Sequence, residues 1–590
     1  MGFRIYCRTE VIEVPAYLLE QTGLGRALEE NTEEKRQELE QEIAGYEGPG
    51  KPYANKLRKF METHGIWKLD ELDYSWRLQF AEEISKDINP RAIRWYLRGF
   101  DHFKQYAMRK TGRFQVERTA YGYPYENKIL FLPYHPAQEL VKRMDVSQER
   151  PDWVWDFTLP VQERMKRQIY ICLNYFLEED GDLKLLRTRL ETLHLFYRFC
   201  AEEGISDIEQ ITLGQVQAYR SLTEELKKPR AFRILDACRK ALFLEADEIH
   251  WNAGVWYLER LHLEPERTDP SNSVVSLSFL EVAHNRNREL LQKYMKYGLG
   301  LTSVTVRYLQ AEMLDIRAVL QEMEEDACEI TEIQMKKYLQ RLQEQKIKPE
   351  TFNRRVMALL HFYNFLLTKR YVRRIPFCAD YYLKKTLPVH HDRTVPQETA
   401  EELLDNLHQF PEHLRLMYLH LWGIGLRVSE VCRLKGDAYY IQGRDTWLQV
   451  YQTKMKNYKR IPIPEAIYRL MQVYIKKHGI AADAYVFPNK NGGAYRSATF
   501  RKQMIEGCEK LGIQNGEYLF KSHDYRHGVA TYFYDNGVSL QSVRDYLGHC
   551  YEEMTQQYID YMPKKIEKAS QEFFKKQGNS LASCLKGGET

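Results

Sequence analysis

TWLQVYQTKMKNYKRIPIP, Thr446–Pro464, is the stretch that decides the fold. Trp447, Gln449 and Tyr451 alternate with Leu448 and Val450, the two-residue period of a strand with one buried face. The KNYKR segment is expected to turn the chain into a second strand at Ile461–Ile463. A small antiparallel sheet thus stands inside a chain that otherwise reads as helix. Gln397–Leu434 upstream is helical, and helices resume downstream.

Further out, Leu72, Trp76, Phe80 and Ile84, then Ile93, Tyr96, Leu97, Phe100 and Phe103, recur at helical spacing. Thr111–Tyr134, with the alternation of Phe114 and Val116 and its Gly, Pro and Tyr content, reads as an irregular or strand-containing connection. Helices return from Pro160 to Glu248. LETLHLFYRFCAEEG, Leu190–Gly204, is amphipathic and stops at a glycine, and Thr212 is placed to cap the next helix. ERTDPSNSVVS, Glu266–Ser276, and KKTLPVHHDRTVP, Lys384–Pro396, read as linkers. Between them lies another helical set. Two fragments recur between the helical regions: I-T-x-x-Q at Ile211 and Ile330, and F-Y-x-F at Phe196 and Phe362. Their order is reversed, which argues against a simple tandem repeat.

Four clusters in the last third carry chemistry. GLRVSEV, Gly425–Val431, places Arg427 at a helix junction, and Lys454 stands in the turn leaving a strand. SHDYRH, Ser522–His527, puts His523 and Arg526 three residues apart on one helix face. LGHCYEEMTQQYIDY, Leu547–Tyr561, sets Tyr558 nine residues after His549. Guanidinium groups grip phosphate oxygens bidentately and stay charged. Such cations would stabilise the extra charge of a phosphodiester under attack. A tyrosine hydroxyl, with an ordinary pKa of about 10, needs such surroundings to become a nucleophile. A lysine or histidine would protonate the departing 5′ oxygen. The sum is covalent phosphoryl transfer on nucleic acid.

Taken in order, Gly-Leu-Arg-x-Ser-Glu, a lysine ahead of a strand carrying Ile-Pro-Ile, His-x-x-Arg-His, and Leu-Gly-His followed by Tyr558 resemble the tyrosine recombinase/phage integrase family over about Thr394–Lys565. The region 275–385 is similar, more loosely, to that family's DNA-binding core-binding domain. The resemblance implies a mainly α multidomain fold: a helical, SAM-like core-binding bundle plus a mixed α+β catalytic domain with a small antiparallel sheet. It makes Tyr558 the nucleophile of a 3′-phosphotyrosine link, and has Arg427 and Arg526 clamp the scissile phosphate. Lys454 is the general acid, His523 assists proton transfer, His549 donates a hydrogen bond to the phosphate, and Glu430 braces the arginines. Lys454, Lys456 and Lys459 share one short loop, and spacing from Pro462 selects Lys454; spacing from His549 selects Tyr558 over Tyr551 and Tyr561.

The expected organisation is an N-terminal helical and irregular region at 1–160 and a helical bundle, read as core-binding-like, at 161–265. The core-binding domain at 275–385, the catalytic domain at 394–565 and a protomer-docking tail at 566–590 follow. Expected partners are double-stranded DNA, three further protomers in a tetramer on synapsed DNA, and accessory recombination proteins. No cofactor and no metal are expected: a zinc site from His523, His527 and His549 lacks a convincing fourth ligand, and Arg526 would repel a cation. Rival functions are type IB topoisomerase-like relaxation and a non-catalytic DNA-binding role.

Composition agrees with a globular chain. The 590 residues carry 86 Lys+Arg against 82 Asp+Glu, a net charge of +4, so the chain is neither polybasic nor acidic throughout. Mean hydropathy is −0.57 and no apolar run approaches the roughly 18 residues of a membrane span. MGFRIYCRTEVIEV at the start lacks a cationic and then apolar secretory pattern. The ten cysteines include no C-x-x-C pair, which suits reduced thiols in a cytoplasmic protein.

Overall fold

The computed structural model describes residues 3–6, 11–14, 24–110, 129–141, 150–179, 182–301, 303–386, 394–453, 455–549 and 570. The chain divides into two compact units, Met1–Ala253 and Gly254–Thr590.

The first unit opens with an antiparallel pair, β1 (Phe3–Tyr6) and β2 (Val11–Val14). Helices α1 (Leu24–Ala44), α2 (Ala54–His64), α3 (Tyr74–Ser85) and α4 (Pro90–Lys110) follow. Helix α4 buries Leu97, Phe100, Phe103 and Ala107 on one face. Asp101 shares that buried face, and its charge is answered by Arg77 Nε at 2.8 Å and the Tyr134 hydroxyl at 2.6 Å. A buried carboxylate persists only when paired and hydrogen-bonded in this way. Strands β3 (Ile129–Phe131) and β4 (Val154–Asp156) pair antiparallel, with the short α5 (Gln138–Val141) between them. Phe114 and Val116 lie outside the described residues.

Four helices complete the unit: α6 (Glu163–Glu178), α7 (Leu183–Glu202), α8 (Leu213–Glu225) and α9 (Ile234–Glu245). Gly204, at φ +63, follows α7 in the left-handed conformation that ends helices. Thr212 caps α8 by accepting from Gln215 N–H, while the Gln215 side chain accepts from Thr212 N–H.

The second unit starts with strands β5 (Val255–Tyr257) and β6 (Ser276–Ser278), paired antiparallel. The polar stretch Glu266–Ser276, expected as a free linker, is folded instead. Its Arg267 is buried and donates to the carbonyls of Val304 (2.9 Å), Leu299 (2.6 Å) and Gly298 (3.3 Å). One guanidinium with five donors thereby satisfies the carbonyls at the end of a helix, something polar composition alone does not reveal. Helices α10 (Asn285–Leu299), α11 (Val306–Leu320), α12 (Glu332–Glu344) and α13 (Pro349–Thr368) form a second four-helix set.

Beyond residues 387–393 the chain forms α14 (Gln397–Asp405), α15 (Glu412–Ile424) and a single turn, α16 (Val428–Val431). The sheet follows: β7 (Tyr439–Gln442), β8 (Asp445–Gln452) and β9 (Asn457–Pro462), in the order β7-β8-β9 and antiparallel throughout. Helices α17 (Glu465–His478), α18 (Ser497–Lys510), α19 (Ser522–Asp535) and α20 (Leu540–Leu547) close the described fold. Leu448 and Val450 on β8 and Ile461 on β9 are buried together with the α15 residues Met417 and Leu421. The second strand starts earlier than the sequence suggested. Asn457, Tyr458 and Lys459 pair with Gln452, Tyr451 and Val450, so Lys459 stands inside β9 and not in the turn. The mainly α architecture, with a small antiparallel sheet among the helices that follow residue 394, is the expected one. The tail at 566–590, read as a docking segment, lies outside the described residues apart from Ser570.

Candidate functional site

Two breaks in regular structure and one continuous helix aim side chains at one place. Gly425 ends α15 at φ +72, a conformation a glycine adopts without steric cost. The chain turns there and presents Arg427 at the cap of α16. Helix α19 crosses behind α15 and carries Arg526 on its buried side. Gly548, at φ +70, ends α20 and delivers His549.

Glu430 lies at the centre, buried with 3% exposure. Its Oε1 accepts from Arg427 Nη1 at 2.8 Å and from Gln452 Nε2 at 3.3 Å. Its Oε2 accepts from Arg427 N–H at 2.9 Å, and Lys459 Nζ lies 3.3 Å away. Arg526 Nη1 is 3.9 Å from the same oxygen. Burial pushes the Glu430 carboxyl up, but Lys459, Arg526 and Arg427 together pull it down to about 2. The carboxylate is therefore charged at neutral pH and holds three cations in one small volume.

Arg526 is fully buried and tied to backbone on two sides. Nη1 donates to Gly425 O at 2.9 Å and Nη2 to Leu547 O at 2.5 Å, which joins the end of α15 to the end of α20. Nη2 also lies 3.0 Å from His549 Nε2. A guanidinium only donates, so Nε2 accepts and the single proton of a neutral imidazole sits on Nδ1. Burial, then the charges of Arg526, Arg427 and Lys459, lower the His549 pKa to about 3, which keeps the ring neutral.

Lys459 is buried as well. Burial lowers its pKa to about 8, and Glu430 opposes that shift. Its Nζ is 3.5 Å from Leu547 O. Gln452 Nε2 reaches both Glu430 and Gly548 O, each at 3.3 Å. Lys459 and Gln452 are the two residues of the cluster that the sequence reading missed. The signal for both is the alternation itself: Lys459 is two residues before Ile461, and Gln452 two after Val450, on the face that goes inward.

Of the residues singled out by sequence, Arg427, Glu430, Arg526 and His549 come together. His523 lies on the first turn of α19, exposed, its ring edge-on to His527 with centroids 5.3 Å apart. Lys454 and Tyr558 lie outside the described residues. Among the described residues no group of three or more His, Cys, Asp or Glu is arranged to hold a metal, and no helix is long and apolar enough to cross a membrane. The cluster suits an anion: three cations held by one carboxylate, with a neutral imidazole Nδ1–H as a further donor.

Residues 393–565 match the phage integrase family. Among characterised relatives, transposase B from transposon Tn554 of Staphylococcus aureus (strain Mu50) is 25% identical over 343 residues, covering 56% of this chain and 54% of that protein. Tyrosine recombinase XerC of Bacillus pumilus is 28% identical over 247 residues, 39% of this chain and 77% of that protein. The chain thus spans about half the length of the transposases it matches, 54%. A solved structure of the Tn1549 transposon integrase in complex with a circular intermediate DNA is 18% identical with a TM-score of 0.39, covering 48% of this chain and 98% of that one. Residues 393–565 therefore carry a phage integrase family domain, and the relatives that the chain resembles are a transposase and tyrosine recombinases.

Proposed function

We propose that this protein is a site-specific DNA recombinase that cuts and rejoins strands through a 3′-phosphotyrosine intermediate, integrating, excising or transposing a mobile element. One observation carries it: Arg427, Lys459 and Arg526 converge on the buried Glu430 with neutral His549 against Arg526. A site with this charge arrangement binds a phosphodiester and favours the more highly charged transition state. The transposase and Xer recombinases among its relatives support the same reading.

In this mechanism Arg427 and Arg526 hold the non-bridging oxygens of the scissile phosphate. Glu430 keeps both guanidiniums oriented so that little reorganisation is needed on binding. His549 donates from Nδ1. The Tyr558 oxygen attacks phosphorus, the bond to the 5′ oxygen breaks, and Lys454 protonates that oxygen as it leaves. His523, on the turn before Arg526, assists proton transfer. The phosphotyrosine ester retains the energy of the broken phosphodiester, so a 5′ hydroxyl from a second strand reverses the chemistry and completes exchange without ATP. Four protomers on two synapsed sites, with accessory proteins setting direction, act on DNA in the cytoplasm.

The test uses DNA spanning the ends of the element that encodes the chain. Wild-type protein should form an SDS-resistant protein–DNA adduct, and Tyr558→Phe should bind the same DNA and form none. Equal adduct from both proteins would remove Tyr558 from the mechanism.

A further inference from the structure

The helices α6–α9 of the first unit are assembled like α10–α13 of the second. In each set the first helix packs on the second and the fourth, and the second packs on the fourth. In each the third helix begins at a threonine that follows an isoleucine and exchanges hydrogen bonds with a glutamine three residues on: Thr212 with Gln215, and Thr331 with Gln334. ITLGQVQAY, Ile211–Tyr219, and ITEIQMKKY, Ile330–Tyr338, share Ile, Thr, Gln and Tyr at the same spacing, and both tyrosines are buried.

The match continues to the start of the fourth helix. Lys228-Pro229-Arg230-Ala231-Phe232 stands 17 residues after Ile211, and Lys348-Pro349-Glu350-Thr351-Phe352 stands 18 after Ile330. Each phenylalanine carries a cation over its ring, Arg220 at 4.5 Å from Phe232 and Lys384 at 4.4 Å from Phe352. The F-Y-x-F fragments are not equivalent: Phe196 is on a second helix and Phe362 on a fourth. With that coincidence removed, the reversed order that argued against duplication disappears.

The two sets differ in how their charges are used. Arg354 and Arg355, on the fourth helix of the second set, lie 2.6 Å and 3.8 Å from Asp315. Lys227, Lys228, Arg230 and Arg233 in the first set are exposed, and no carboxylate among the described residues forms an ion pair with any of them. Glu224 and Glu225 end α8 just before them. The loop is held in place: Lys227 N–H donates to Glu224 O at 2.9 Å, Lys228 N–H to Thr223 O at 2.8 Å, and Pro229 starts the next turn. Four cations within seven residues, on an ordered loop and without an ion-pair partner among the described residues, suit the closely spaced phosphates of a nucleic-acid backbone.

We propose that α6–α9 is a second duplex-DNA-binding module, a repeat of α10–α13, that contacts backbone phosphates through Lys227, Lys228, Arg230 and Arg233. It rests on the proposed function only in taking DNA as the partner of the chain. A recombinase with such a module engages more DNA than its cleavage site alone.

The test compares the full-length wild-type chain with K227Q/K228Q/R230Q/R233Q on a mixed-sequence duplex of about 60 base pairs, with affinity measured from roughly 50 to 200 mM salt. The glutamine variant should bind on the order of tenfold or more weakly at low salt, and its log affinity should fall less steeply with log salt, by about 2–4 in slope. K227R/K228R keeps the charge and should bind like wild type. A glutamine variant with wild-type affinity and slope would overturn the proposal. So would loss of binding to phosphatidylserine vesicles with DNA binding intact, or equal loss in K227R/K228R. Covalent adduct formation is scored separately: a wild-type chain that forms no adduct but shows the charge-dependent loss would sink the recombinase reading and leave the module standing. A wild-type chain that binds no duplex would overturn both.

Discussion

Lys459 Nζ lies 3.3 Å from Glu430 Oε2, and both side chains are at least nine-tenths buried. A lysine in that position neutralises a carboxylate. In the proposed mechanism Lys454, not Lys459, protonates the departing oxygen. DNA with sulfur at the 5′ bridging position has a leaving group that needs no proton. Lys454→Ala should cleave normal DNA slowly and be restored by the sulfur substrate. Lys459→Met should be slow on both, because its defect is in the arrangement of the arginines. Restoration of Lys459→Met by sulfur would assign the acid to Lys459 instead.

Glu430 is the shared counter-charge of three buried or half-buried cations. Removing one member of such a set leaves the others uncompensated, at a cost of about 3–5 kcal/mol. Glu430→Gln should therefore lower the unfolding midpoint of the catalytic region, measured calorimetrically, and abolish adduct formation. A variant with an unchanged midpoint would mean that the cations are not held by this carboxylate.

Gly548 has φ +70, and a Cβ there would sit 2.3 Å from Gln452 Nε2. Gly548→Ala must both strain the backbone, by about 1–2 kcal/mol, and push Gln452 off Glu430. The expected result is adduct formation slowed on the order of tenfold or more, through misplacement of His549, with duplex binding kept. Gly537, at φ +83 with nothing within reach of its Cβ, supplies the control. Gly537→Ala carries the backbone strain alone and should retain the cleavage rate.

His549 titrates near 3 in the folded chain, well below the usual histidine value of 6.5. As pH falls below 6.5 the unfolded chain takes up a proton that the folded chain refuses. Stability contributed by the neutral ring is thus complete above 6.5 and drains as pH drops toward 3, by at most about 1.4 kcal/mol per pH unit. Glu430, also lowered, adds a loss in the same direction at still lower pH. The unfolding midpoint of His549→Gln should fall less between pH 6 and pH 4 than that of the wild type, an interval inside the window set by those two values. Parallel curves for the two proteins would show that His549 is not the titrating group.

The sequence was most informative where a local rule decides the outcome. Alternation over Leu448–Val450 located β8, Gly204 the end of α7, and Thr212 the cap of α8. Arg427, Glu430, Arg526 and His549 were legible through the ordered motifs Gly-Leu-Arg-x-Ser-Glu, His-x-x-Arg-His and Leu-Gly-His and their resemblance to a known family. Lys459 was not, because a lysine next to a turn reads as solvated; only β pairing with Val450 shows that it points inward. Arg267 was missed for a related reason: its partners are backbone carbonyls more than 30 positions on, which leave no mark in composition.

The central claim is that Tyr558 becomes covalently joined to a DNA 3′ phosphate. The most direct measurement traps the wild-type chain on a nicked duplex, digests the adduct with protease and nuclease, and locates the nucleotide-bearing residue by mass spectrometry. The account predicts a phosphodiester on Tyr558. The same mark on Tyr551 or Tyr561, or its absence from a chain that binds the duplex, would contradict it.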